Sequence, residues 1–149
     1  MPPTQQPSVV HTGITVRSLE ASLAFWAGAL GAEIERRFHL GGEFAAEVVG
    51  VAGAEIDAAV IDLNGYAIEL LQYTRPEGAR HHRPASNEVG SWHLALGVND
   101  LDATVQACSS YGWHTLGEPQ RMPDGPRAGT RFTYLRDADG STIELIESP

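Results

Sequence analysis

Residues 91–98 read SWHLALGV, and residues 9–16 read VVHTGITV. In both stretches apolar residues alternate with small or polar ones, which is typical of a strand with one buried face. Each stretch carries one histidine and is followed by a segment whose apolar residues recur at helical spacing. His93 follows His11 by 82 positions, and the leucines that open the two predicted helices are separated by the same number. The chain therefore reads as two copies of one unit, each opening with a strand histidine.

Length and composition bound the class of protein. The 149 residues suit one compact domain or two half-domains, and 42% hydrophobic with 19% charged residues is typical of a globular chain. A net charge of -9, without a block of Lys or Arg, disfavours nucleic acid and anionic membranes as partners. Residues 1–7 lack the features of a signal peptide, and no apolar run approaches the roughly 20 residues of a membrane span. The single cysteine, Cys108, is expected as a small buried hydrophobe and fits a reducing cytoplasm, where we expect the protein.

The predicted elements occur in the same order in both halves. In the first half, a strand at 9–16 and a helix at 19–30 precede strands at 32–40, 43–51, 55–63 and 66–73. In the second half, a strand at 91–98 and a helix at 101–111 precede strands at 113–119, 130–136 and 141–147. The predicted segments are a disordered lead at 1–7, a first module at 8–73, a linker at 74–90 and a second module at 91–149. This order predicts an α+β fold made of two tandem βαβββ modules.

Four residues could carry chemistry, because each lies in a strand otherwise made of small or apolar residues: His11, Glu69, His93 and Glu144. Each half supplies a histidine from its first strand and a glutamate from its last, and both closing strands contain Ile-Glu-Leu. A carboxylate in such a run is costly if it is buried without a partner, so exposure, pairing or metal binding is expected. Two imidazoles and two carboxylates suit Zn(II), Ni(II), Co(II), Mn(II) or Fe(II) without choosing among them. Taken singly, each residue could instead be a solvated glutamate or a structural histidine.

Together these features resemble the vicinal oxygen chelate superfamily, which includes glyoxalase I, methylmalonyl-CoA epimerase, extradiol dioxygenases and bleomycin or fosfomycin resistance proteins. The resemblance covers about residues 8–148. Its motifs are the two strand–helix openings, the aromatic pair Phe25-Trp26 on the first helix, and the Asp-Gly turn before Glu144. The resemblance implies paired modules in an open, mixed-sheet barrel around one divalent metal ion. The ligand positions it implies are His11, Glu69, His93 and Glu144.

A His-Glu-His-Glu ligand set is similar to that of bacterial glyoxalase I. The resemblance therefore implies a lyase or isomerase that shifts a proton next to a carbonyl through a metal-bound enediolate, with Glu144 or Glu69 as the base. It also implies a small-molecule substrate. We expect a homodimer, and the modules could pair within one chain or across two.

Three alternatives stay open at this point. In an extradiol dioxygenase, His11, His93 and Glu144 would hold Fe(II), and Glu69 would be an additional carboxylate. Methylmalonyl-CoA epimerases resemble the chain in length and ligand pattern, but they usually carry a glutamine at the position of Glu69. Resistance proteins that sequester a drug without a metal generally lack this ligand set, which argues against that class.

Further residues could bind the substrate or line its cavity. The loop at 120–129 carries Arg121 and Arg127, either of which could hold a carboxylate or phosphate, although an ordinary surface loop is the alternative. Three aromatic residues could line an apolar cavity: Tyr73, Phe132 and Tyr134. In the predicted linker, His81 and His82 are expected to be solvated but could instead lie at the rim of the site or bind an anionic substrate. No partner can be named from the sequence for His39 or His114, which are expected to be structural or on the surface.

Overall fold

The computed structural model describes Met1 and residues 6–149, so residues 2–5 of the predicted lead lie outside the described residues. The chain divides into two compact units. The first unit consists of Met1–Leu23 and Gly31–Glu77, and the second consists of Ala24–Leu30 and Gly78–Pro149.

The first unit holds a four-stranded mixed sheet. Its elements in chain order are β1 (Thr12–Thr15), α1 (Leu19–Leu30, which continues into the second unit), β2 (Glu33–Leu40), α2 (Gly42–Val49), β3 (Glu55–Leu63) and β4 (Tyr66–Arg75). The sheet order is β1-β4-β3-β2, with β1 parallel to β4 and the other pairs antiparallel. Ile68 and Leu70 of β4 are fully buried on one face together with Ala59 and Ile61 of β3. Because successive side chains alternate along a strand, Glu69 lies on the opposite face.

The second unit repeats this plan. Its remaining elements are β5 (Leu94–Gly97), α3 (Leu101–Ser109), β6 (His114–Thr115), β7 (Gln120–Arg121), β8 (Arg131–Arg136) and β9 (Thr142–Glu147). The sheet order is β5-β9-β8-β6, β7 also pairs with β8, and β5 is parallel to β9. Ile143 and Leu145 are buried, so Glu144 lies on the other face. The predicted α+β fold with two βαβββ-like modules and mixed sheets is confirmed.

The strand predicted at 43–51 is wrong, because this segment forms α2. Its valines and Phe44 favour a strand by composition. In the structure Ala45 is buried, and Val49, four residues later, packs against the buried cluster of the sheet, as one face of a helix requires. Gly50 adopts a left-handed φ of 69° and ends the helix. Three strands then follow α1, which is the number a βαβββ module needs.

The other predicted elements have the predicted type; α1 and β3 have the predicted bounds, β4 extends two residues further, and the rest are shorter or of similar length. β1 and β5 each begin one residue after a histidine, so His11 and His93 precede their strands and do not lie inside them. The strand predicted at 113–119 is reduced to β6, and β7 lies within the predicted loop at 120–129. Cys108 is fully buried, as expected, and burial raises the pKa of its thiol to about 11. Among the residues that the structure describes, no helix has both the length and the apolar character needed to cross a membrane.

Side chains from the closing strands anchor the first turns of α1 and α3. Gln72 Oε1 accepts the Leu19 N–H at 2.7 Å, and Glu147 Oε2 accepts the Leu101 N–H at 2.6 Å. Each acceptor lies three residues after the candidate glutamate of its strand. The first N–H groups of a helix have no partner inside the helix, so these bonds fix each helix start to its sheet.

A tight turn sets the start of β9, the strand of Glu144. Asp137 Oδ1 accepts the N–H of Ser141 at 2.9 Å and so closes the turn. Gly140 in this turn has a left-handed φ of 94°. A Cβ atom at Gly140 would meet the backbone carbonyl of His82 and would lie 3.0 Å from Arg83 Cα. The linker between the modules is therefore packed directly against the turn.

Gly140→Ala is expected to destabilise the protein by about 2–5 kcal/mol, because it combines left-handed backbone strain with an overlap against the linker backbone. Gly125→Ala is the matched control, since Gly125 has a φ of 81° but open space around a Cβ atom. We expect the control to lose only about 1–2 kcal/mol. Urea unfolding measures both losses, and equal values would contradict the close packing of the linker.

His39 has partners that the sequence does not reveal. Its Nδ1 lies 2.8 Å from Asp57 Oδ1, and its Nε2 lies 2.6 Å from Glu55 Oε2. The pairing of β2 with β3 places His39 directly opposite Asp57. The hydrogen bonds to Asp57 and then Glu55 raise the pKa of His39, and the bond from His39 lowers the pKa of Glu55. Glu55 also accepts the N–H of Gly42, so the cluster lies at the start of α2.

The contribution of His39 to stability is expected to depend on pH. The pKa of His39 is higher in the folded protein than its ordinary value of 6.5. The stability that protonated His39 contributes is therefore fully present below pH 6.5 and is lost as the pH rises through the folded pKa. Because the pKa of Glu55 is lowered, its contribution is present above 4.5 and is lost as the pH falls through the folded value. The stability difference between wild type and His39→Gln should therefore be greatest between these values. Unfolding curves across pH measure it, and a difference that does not change between about pH 4 and pH 9 would refute the expectation.

Candidate functional site

In the first unit, His11 lies beside Glu69, with 3.5 Å between His11 Nε2 and Glu69 Oε1. The parallel register pairs Glu69 with Gly13, and His11 precedes Gly13 by two residues. Residues two apart project to the same side of a strand, so the histidine and the glutamate share one face of the sheet. Since Gly13 has no side chain, the space beside Glu69 is left to the imidazole.

The second unit repeats this arrangement with His93 and Glu144, whose Nε2 and Oε2 atoms are 3.2 Å apart. The register partner of Glu144 is the small residue Ala95, which again lies two residues after the histidine. The two histidine side chains are 38% and 39% exposed, and the two glutamates are 17% and 16% exposed. The pairs thus agree in register, distance and exposure, and in each an open imidazole lies against a half-buried carboxylate.

Tyr134 distinguishes the second pair from the first. It is the partner of Glu144 on β8, whereas the partner of Glu69 on β3 is Val60. The Tyr134 hydroxyl lies 3.2 Å from His93 Nε2, and the two ring centroids are 4.7 Å apart. Burial and, second to it, the charge of Glu144 raise the pKa of Tyr134. The phenol therefore keeps its proton and can donate a hydrogen bond. The sequence indicated Tyr134 only as a cavity-lining residue.

Arg127 and Phe132 contact each other in the same unit. The Arg127 guanidinium carbon is 4.7 Å from the centre of the Phe132 ring, a cation–π contact. Phe132 precedes Tyr134 by two residues on β8 and so shares its face. The structure therefore brings two of the predicted substrate-binding residues to the face that carries Glu144.

The two other predicted substrate-binding residues have different surroundings. Arg121 donates to the carbonyl of Gly129 at 2.7 Å, a bond that closes its own loop. Tyr73, in the first unit, packs against a buried apolar cluster of Ala54, Ile56 and Ala58. By alternation along β4, Tyr73 nevertheless lies on the same face as Glu69.

Each His–Glu pair has donors that fit a divalent metal ion. An imidazole nitrogen and a carboxylate oxygen that lie this close and are partly exposed can be directed at one ion. Within Met1 and residues 6–149, the structure gathers no group of three or more His, Cys, Asp or Glu side chains that could hold a metal. The four predicted ligands are thus present as two pairs, one in each unit.

Comparison with known proteins identifies the family. The model of the Glyoxalase/Bleomycin resistance protein/Dioxygenase superfamily matches residues 8–145. The chain is 31% identical over 147 residues to a 2-epi-5-epi-valiolone epimerase of Actinomyces sp, covering 95% of this chain and 80% of that protein. It is 32% identical over 141 residues to a probable lactoylglutathione lyase of Synechocystis sp., covering 94% and 95% of the two chains. The crystal structure of a glyoxalase family protein from Bacillus cereus matches with a TM-score of 0.83 at 25% identity, covering 99% and 98%. The chain therefore belongs to the glyoxalase/bleomycin resistance protein/dioxygenase superfamily, as its resemblance to the vicinal oxygen chelate proteins implies.

Proposed function

We propose that the protein is a divalent-metal-dependent lyase or isomerase that shifts a proton next to a carbonyl group. The observation that carries the proposal is the repeated His–Glu contact, which has the same register in both units. The relatives support the same reaction class. One is named a lactoylglutathione lyase and another an epimerase, and an epimerase can invert a carbon beside a carbonyl by removing and returning its proton.

The proposed ligands are His11, Glu69, His93 and Glu144, so that two His–Glu pairs complete one ligand set. Candidate ions are Ni, Zn, Co, Mn and Fe(II), all of which accept mixed nitrogen and oxygen ligands. When bound, the ion would offset the negative charge that develops on a carbonyl oxygen as the neighbouring carbon loses its proton.

The chain's own carboxylates supply the base. Glu144 or Glu69 would take the proton from carbon, and both are half-buried beside an imidazole. Their neighbours differ, because Tyr134 contacts His93 and faces Glu144, whereas Glu69 has the apolar Val60 as its partner. The phenol of Tyr134 holds the His93 ring in place, and the first pair has no such support from Val60.

Metal analysis of protein purified without chelators is expected to find one divalent ion for each chain. His11→Ala and His93→Ala each remove one proposed ligand and should weaken metal affinity by about tenfold or more. His114→Gln, an exposed histidine outside both pairs, serves as the control and should retain the metal. A metal-free wild-type protein, or a His11→Ala variant with wild-type metal content, would overturn the ligand assignment.

Proton transfer is tested by deuterium exchange in D2O, followed by NMR on small 2-oxoaldehydes, their thiol adducts and 2-hydroxyketones. The metal-loaded protein should exchange the hydrogen beside the carbonyl of one of these classes. Replacing the base by glutamine should slow exchange by about 100- to 10,000-fold at saturating metal. Comparing Glu69→Gln with Glu144→Gln identifies which glutamate is the base. Absence of exchange, with oxygen uptake on a catechol panel instead, would establish the ring-cleaving alternative.

A second candidate is an epimerase, which the 31% identity to the Actinomyces protein over 95% of this chain favours. It would use the same base and ligands but would return the proton to the opposite face of the carbon. The exchange experiment separates the two reactions. An epimerase product differs from its substrate in the configuration of one carbon, whereas a proton shift moves the carbonyl group.

We further propose that the protein acts as a homodimer in the cytoplasm. In the second unit, Ser91 Oγ donates to the Ala85 carbonyl at 2.9 Å and closes a turn at 85–91. This turn presents Val89, which is fully exposed, next to Trp92, which is 88% exposed. An apolar surface of this kind is typical of a protein interface. Sedimentation of the purified protein distinguishes a dimer from a monomer.

A further inference from the structure

Arg36 on β2 lies in the same cross-strand row as Glu69 in the first unit. The register pairs Arg36 with Val60 on β3 and pairs Val60 with Glu69 on β4. Residues that are paired across antiparallel strands project to the same face of a sheet, so Arg36 stands on the face that carries Glu69. Neighbouring strands lie about 4.8 Å apart, which separates the Cα atoms of Arg36 and Glu69 by about 10 Å. One sheet face thus presents a cation and a carboxylate at this spacing.

The sheet surface between the two charges is apolar. Val60, the residue between them, is buried. The next row on this face is also apolar and consists of Phe38, Ala58 and Leu71. Val49 of α2 packs against the buried cluster to which Ala58 belongs, so α2 stands on this face beside that row. A ligand with a charged group and a carbonyl group joined by a short carbon chain fits such a surface.

The Arg36 guanidinium is held over an aromatic ring and has no counter-ion. Its central carbon lies 5.0 Å from the centre of the Phe38 ring, a cation–π contact. Among the residues that the structure describes, no carboxylate lies within ion-pair distance of Arg36. Arg37, the next residue, differs because it projects to the opposite face and pairs with Glu20. A guanidinium over a ring keeps the N–H groups in its own plane available to an anion.

We propose that Arg36 binds an anionic group of the substrate, a carboxylate or a phosphate, and so selects carbonyl compounds that carry a negative charge a few bonds from the carbonyl. The guanidinium fork matches the oxygens of both groups. With the anion at Arg36, the short chain crosses Val60 and brings the carbonyl end to Glu69. This inference names a substrate class for the function proposed above and rests on that function for turnover. Anion binding itself requires no turnover.

Ligand-detected NMR titration tests the proposal with two pairs of compounds that differ in charge. One pair is 4-oxopentanoate and 2-pentanone, and the other is dihydroxyacetone phosphate and dihydroxyacetone. Wild type should bind the anionic member of at least one pair about tenfold more tightly than the neutral member. The pair that shows this preference distinguishes a carboxylate from a phosphate.

Arg36→Gln should lower the affinity for the anionic compound about tenfold, to that of the neutral one, and leave neutral binding unchanged. Arg36→Lys keeps the charge without the planar fork and should retain part of the preference. In deuterium exchange at subsaturating substrate, Arg36→Gln should slow exchange of the anionic compound about tenfold and leave that of the neutral compound unchanged.

Arg37→Gln is the matched control, because it removes the same charge one residue away on the opposite face of β2. It should keep the wild-type preference. β2 is an edge strand, where charges can serve only to hinder pairing with other chains. Full preference in Arg36→Gln would indicate that limited role and overturn the proposal.

Two other results would also overturn the proposal: equal binding of anionic and neutral compounds by wild type, and the same loss of preference in Arg37→Gln. A failure of the proposed function gives a different result. An Arg36-dependent preference in a protein that exchanges no hydrogen would support the anion site and contradict the enzymatic proposal alone.

Discussion

Parallel pairing of the opening and closing strands is the constraint on which the candidate site depends. In each unit the register places a residue with little or no side chain, Gly13 or Ala95, directly opposite the glutamate. The histidine two residues earlier then projects to the same face and comes within 3.5 Å of the carboxylate. A shift of one residue in either register would turn the histidine to the buried face and separate the pair. The pairing register of the strands therefore determines that each histidine lies beside its glutamate.

Much of this arrangement could be predicted from the sequence because it is periodic. The 82-residue repeat, the alternation in the strands and the shared Ile-Glu-Leu identify the modules and the four candidate ligands. The aromatic pair Phe25-Trp26, one of the motifs of the resemblance, is buried in the structure. Phe25 stacks on Trp113 with 4.4 Å between ring centres. Prediction of secondary structure from the local sequence fails where one set of residues favours a strand and another favours a helix. In α2, β-branched and aromatic residues favour a strand, but the burial of Ala45 and the left-handed Gly50 decide for a helix.

The remaining features depend on contacts between residues distant in sequence, which no local pattern reports. His39 meets its acids only because β2 and β3 pair in one particular register. The same holds for Tyr134, which reaches His93 across β9, and for Arg136, which meets Ser86 50 residues away. These contacts also show how the halves differ. The backbone frame and the His–Glu pairs are duplicated, whereas the register partners of the two glutamates differ, since Tyr134 faces Glu144 and Val60 faces Glu69.

The anchors of the two helices differ in one chemical respect. α1 is held by the neutral amide of Gln72, and α3 by the carboxylate of Glu147, which also lies 3.6 Å from an Arg131 nitrogen. A carboxylate at a helix N-terminus gains from the helix dipole, and the amide does not. The start of the second helix therefore has a charged anchor and the start of the first has a neutral one, so the two halves share a backbone plan but differ in the electrostatics that fix their helices.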